Sequence, residues 1–255
     1  MSTTAAFAYM QTRLQAHHGR RPDEQVWLQL QGTSGLANYL QAARRTPLLP
    51  WVSGLQPDHD THAIERSLRR QFRTHVGQVA RWLPADWAAS IRWITLLPDL
   101  PALQHLLKGE AAPAWMLENP RLRPYTSENP SLRLQALQTS GWREIVRAWQ
   151  TGTPPVEAWL DCWRRQWPAS RRLHAGLQHL CGLYRSNLAE LRTAPADTAQ
   201  QRALLAGRLR TAFRRFSFQP AAACAHLGLV ALDLERLRAE LVSRALFPDR
   251  AGVDA

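Results

Sequence analysis

The chain is short of several things, and each shortage excludes something. Only 3 of its 255 residues are cysteine. Cys162, Cys181 and Cys224 are an odd number with no close pairing, so a disulfide framework is not expected and a reduced, cytoplasmic compartment is. No run approaches the roughly 18–20 uncharged apolar residues that span a bilayer, so no transmembrane helix is expected. The N-terminus lacks a basic start followed by an apolar block, so no secretory signal is expected. Val and Ile are sparse, and no segment alternates apolar and polar residues as a strand does. Lysine occurs once, at Lys108.

Chemical motifs are missing too. There is no GxxxxGK[ST] or GxGxxG loop to cradle phosphate, no zinc-ligand spacing and no G-x-S-x-G elbow. His59 and His62 lie near Asp58, Asp60 and Glu65, but at a loop-to-helix junction where acidic residues serve as caps. His174, His179 and Cys181 are spaced i, i+5, i+7 on one helix, which does not converge on a metal. Catalytic residues, cofactor ligands and metal ligands are therefore all expected to be absent, as is a small-molecule substrate.

What the chain does have is Leu, Ala, Gln and Arg, which favour helix. The expected fold is all-α. The clearest helix runs from Thr61 to Leu83, with Ile64, Leu68, Phe72, Val76, Val79 and Leu83 in one arc. Helices are also expected over 5–18, 23–31, 36–45, 132–139, 141–150, 155–167, 170–193, 197–217 (Leu204, Leu205, Leu209, Phe213 and Phe216 inward) and 220–246. Prolines and glycines make 46–60 a loop. Pro98 breaks the helical pattern, with Asp99 placed to cap a helix over 100–109. The eleven tryptophans are expected mainly in the core.

Two echoes run through this pattern. Asp99, Leu100, Leu103 and Leu107 return as Asp233, Leu234, Leu237 and Leu241 at one common offset. Ser34-Gly35 with Leu36, Tyr39, Leu40 and Ala43 returns as Ser140-Gly141 with Trp142, Ile145, Val146 and Trp149. Repeated faces in the same order point to duplication. The division expected is a first repeat over 1–110, a Pro-rich connection over 111–131, an expanded second repeat over 132–248 and a polar tail over 249–255.

The net charge is +12. Arg66, Arg69, Arg70 and Arg73 form a stripe beside the apolar arc of the 61–83 helix. The stripe is either a solvated face or a partner-docking surface. A polyanion partner would suit the charge, which keeps an Arg-rich nucleic-acid-binding module as the alternative function. No recognition-helix motif supports it, so nucleic acid is not the expected partner.

Some stretches resemble a known family. Phe7-Ala8-Tyr9 with Arg13, Leu36 to Leu40, Thr46 to Leu55, Ile64 through Trp82, and Asp99-Leu100 with Leu103-Gln104 and Leu106-Leu107-Lys108 are similar to the first repeat of the central-stalk subunit of V-type and A-type rotary ATPases. Leu227 through Arg238 resembles the end of a later repeat. The resemblance covers about 1–110 and, more loosely, 197–248. It implies a helical funnel or socket seated on the membrane rotor ring and holding the rotating shaft, without catalytic residues. The location implied is cytoplasmic and peripheral to the membrane, with the other ATPase subunits as partners. Two repeats are visible where the family has three, and the chain is short for it.

Overall fold

A computed structural model describes residues 3–193 and 198–247. Among these the structure is helical with no strand. In chain order the helices are α1 (Thr3–His18), α2 (Glu24–Gln31), α3 (Leu36–Ala43), α4 (Leu49–Val52), α5 (Thr61–Trp82), α6 (Ala88–Trp93), α7 (Leu100–Leu107), α8 (Ala114–Leu117), α9 (Pro130–Gln138), α10 (Arg143–Gln150), α11 (Pro155–Arg165), α12 (Arg171–Thr193), α13 (Thr198–Arg215) and α14 (Pro220–Leu246). Three 3₁₀ turns, at Ala85–Trp87, Ile94–Asp99 and Arg123–Tyr125, punctuate them.

The chain forms two compact units. The first joins residues 1–88 with 169–255; the second is 89–168. The division expected from the echoes followed sequence similarity, whereas the units follow packing. The first unit thus pairs the two ends of the chain. The polar tail over 249–255, like Pro195 and Pro248, lies outside the described residues.

In the first unit α14 is the central helix, packed by α1, α5, α12 and α13. Its first half is buried without interruption from Pro220 to Leu227, as a helix that is apolar all round must be. Small residues let neighbours approach closely. A Cβ on Gly176 of α12 would lie 2.8 Å from the Ala221 Cβ and 3.0 Å from the Phe216 ring. The apolar arc of α5, Ile64 through Leu83, is buried as expected, and Asp60 caps its start through Ala63 N–H at 2.6 Å. Arg244, 7% exposed, donates to the Gln31 and Thr33 carbonyls at the C-terminal end of α2 and to Glu240. Its guanidinium lies 4.3 Å from the Tyr39 ring centre. Cations suit the carbonyl end of a helix.

The second unit is built around tryptophan. Trp159 and Trp163, one helical turn apart on α11, stack at 5.8 Å. Trp163 donates its indole N–H to the Ser90 carbonyl at 3.0 Å, and Trp93 donates to the Trp159 carbonyl at 3.2 Å. The Pro-rich stretch expected as a connection folds inside this unit. There Met116 and Leu122 pack on Ala102 and Leu106 with Trp115 and Tyr125 around them. Buried Arg133 ties this corner together, donating to the carbonyls of Leu106, Glu110 and Ser127 at 3.3, 2.8 and 3.0 Å. None of the eleven tryptophans is fully exposed, because an indole carries more apolar area than a helix surface of this size can leave wet.

Three local expectations are corrected. The loop expected at 46–60 contains α4, begun by Thr46, whose hydroxyl accepts from Leu48 N–H. Asp99 does not cap α7; it is 1% exposed and accepts from Arg121 Nε at 3.3 Å. A 3₁₀ turn containing Pro98 feeds directly into α7, so the aspartate turns inward instead of toward the helix N–H groups. Leu204, expected inward, is 48% exposed, because α13 turns Leu205 and Leu209 to the core instead.

Candidate functional site

A cavity of about 670 Å³ opens in the first unit. Four segments shape it. The end of α1 and the turn after it contribute His17 and Gly19 to Pro22; the start of α4 contributes Thr46, Pro47, Leu49, Pro50 and Trp51. Helix α5 contributes Arg70, Gln71, Thr74, His75 and Gln78, one face over two turns. Helix α14 contributes His226, Val230 and Asp233, again one face by the i, i+4, i+7 spacing.

The deepest groups are two histidines, from α5 and α14. Their Nε2 atoms are 3.2 Å apart, and His75 and His226 are 7% and 1% exposed. Burial pushes the His75 imidazole down to about 4, helped by the neighbouring His17 ring. Burial pushes His226 well below its ordinary value, with His75, His18 and Arg21 adding to it. Both rings are therefore neutral near pH 7, and one donates to the other. A side-chain hydrogen bond with Gln78 opposes the lowering of His75. His226 Nδ1 is buried without a hydrogen-bond partner.

Other rings frame the pair. His17 lies 5.6 Å from His75 and 4.8 Å from Trp82; His18 stacks on Phe213 at 4.4 Å; Trp51 meets His75 edge-on at 5.6 Å. Burial lowers His17 and His18 as well, and nearby arginines lower them further. Beside the pair, Arg21 bonds both carboxylate oxygens of Asp233, at 2.7 and 2.9 Å, and the Leu229 carbonyl at 3.4 Å. Burial pushes the Asp233 carboxyl up, and the Arg21 contact opposes it. This fork fixes the turn after α1 to the middle of α14.

Asp233 is held by Arg21, and the Thr74 hydroxyl donates to the Arg70 carbonyl. No group of three His, Cys, Asp or Glu among the described residues is placed to hold a metal.

The four arginines of the expected stripe do not act alike. Arg70 is exposed and stands on the rim of the cavity. Arg66, Arg69 and Arg73 are only partly exposed. Arg69 donates to Glu65 at 3.1 Å, and Glu65 also accepts from Arg238 of α14. Sequence reasoning missed His75, His226 and the Arg21–Asp233 pair. The first echo singled out Asp233, and His75 falls next to the apolar arc of α5. Nothing in one sequence joins positions 21 and 233.

Compared with models of known protein families, with characterised proteins and with solved structures, the chain matches none. No helix among the described residues is long and apolar enough to cross a membrane.

Proposed function

We propose that this protein is a non-catalytic coupling component of a V/A-type rotary ATPase, seated between the rotating shaft and the membrane ion-translocating ring. One observation carries the reading. Most of the first stretch that resembles the central-stalk family folds against the second: α1 and α5 pack on α14, which holds Leu227 through Arg238, while Asp99 through Lys108 belongs to the second unit. The part of the likeness carried by one packed body supports the reading. A cytoplasmic, membrane-peripheral place and a socket-like form belong to this proposal, as does the absence of an enzymatic reaction.

The test is co-purification. Tagged protein expressed in its own cell, extracted in mild detergent, is expected to recover the shaft and ring proteins together. Arg70→Glu, reversing the exposed member of the stripe, is expected to reduce that recovery while leaving the isolated protein folded. Recovery of neither shaft nor ring would refute the role. Retention of duplex DNA with affinity falling steeply as salt rises would replace it with the nucleic-acid reading.

A further inference from the structure

The coupling role assigns nothing to the cavity among α1, α4, α5 and α14. Its volume, about 670 Å³, is that of a small-molecule site, and its lining is divided by chemistry. At the rim stand Arg20 and Arg70, both exposed. Neither side chain has a hydrogen-bond or ion-pair partner among the described residues, while the third arginine, Arg21, is neutralised by Asp233. Two free guanidiniums on one rim favour an acidic group, which each can grip through two parallel N–H donors.

Deeper in, the unmet group is of the opposite kind. Gln71 Oε1 is buried with no hydrogen-bond partner, and an amide oxygen only accepts. Buried polar atoms in native folds are nearly always paired, so an orphan acceptor on a residue lining the cavity calls for a donor. The remaining wall is apolar: Pro47, Pro50, Trp51 and Val230.

We propose that this cavity is a binding site for a small organic anion whose acidic group meets Arg20 and Arg70 and whose flat ring carries an N–H or O–H donor toward Gln71. The ring lies along the Pro47–Trp51 wall. Nucleoside monophosphates and aromatic hydroxy acids share this chemistry. The site stands independently of the assembly role, since it needs only the isolated chain.

Isothermal titration calorimetry on the full chain tests it with two whole molecules and their parts. Adenosine 5′-monophosphate is compared with adenosine and with inorganic phosphate; 4-hydroxyphenylacetate is compared with phenylacetate and with acetate. At least one whole molecule is expected to bind one-to-one, with each of its parts at least tenfold weaker; which one binds identifies the source. The double variant Arg20→Gln/Arg70→Gln is expected to weaken that binding at least tenfold without lowering Tm, since both side chains are exposed and unpartnered. Gln71→Leu is expected to erase the preference for the ring that carries a donor. Absence of binding by both whole molecules at millimolar concentration overturns the proposal. So does phosphate or acetate binding as tightly as the whole molecule, or binding indifferent to the double arginine variant.

Discussion

Phe218 carries the one positive φ outside glycine among the described residues, 63°. The left-handed region costs an L-residue about 1–2 kcal/mol, and the ring recovers little of it, being 58% exposed. Buried Gln11 holds the residue there by accepting from its N–H at 3.1 Å. Phe218→Gly is therefore expected to leave stability unchanged or raise it by up to about 1 kcal/mol in urea denaturation; a clear loss would show that the ring packs more than its exposure indicates. The histidine pair makes the opposite kind of prediction. His75 titrates lower in the folded chain than in the unfolded one, so between roughly pH 6.5 and 4 the unfolded state binds more protons. Stability is then full above about pH 6.5 and falls as pH drops through this window, by up to about 1.4 kcal/mol per pH unit for each such histidine. Carboxylates lowered by arginine, such as Glu24 beside Arg236, add their own loss only nearer pH 4. Chemical denaturation at stepped pH is expected to show this slope, and His75→Gln to flatten it.

At the scale of elements, the crossing of α12 over α14 depends on a missing side chain. Gly176→Ala would gain about 1 kcal/mol of helix propensity on an isolated helix. Here the new methyl would meet the Ala221 Cβ at 2.8 Å, and that atom is fixed to the backbone of the central helix. Overpacking of this kind costs about 1–3 kcal/mol, so the substitution is expected to lower Tm despite its propensity. In the second unit the corner formed by α7 and the Pro-rich stretch depends on Arg133, whose guanidinium satisfies three carbonyls. Arg133→Met keeps the stem and removes the donors. The buried carbonyls then lose their partners, at about 1–3 kcal/mol each where water cannot reach them.

At the scale of the whole molecule, two compact units mean that such damage should stay local. Amide hydrogen exchange in Arg133→Met is expected to speed up within 89–168 while α5 and α14 keep their protection; uniform acceleration along the chain would show that the units unfold as one. The charge is also distributed differently from what +12 alone implies. Arg21, Arg133, Arg238 and Arg244 bind carboxylates or carbonyls within the fold. Three of these pair with carboxylates already subtracted in the net charge, so of the four only Arg133 ties part of the excess into the fold.

The helices follow from the order of residues alone, because a periodic apolar face and a scarcity of Val and Ile are local properties. That order determined the α5 core face for the same reason. It announced the break at Pro98, since proline acts on its own turn. It did not determine what Asp99 and Asp233 do, because an aspartate beside a helix start reads as a cap and one inside a helix reads as a solvated face until its arginine is known. Only the tertiary structure supplied Arg121 and Arg21. Likewise only packing set His75 against His226, left Gln71 and one imidazole nitrogen without partners, and freed Arg20 and Arg70 at a common rim. Those facts depend on which distant segments meet, and chain spacing carries no record of that.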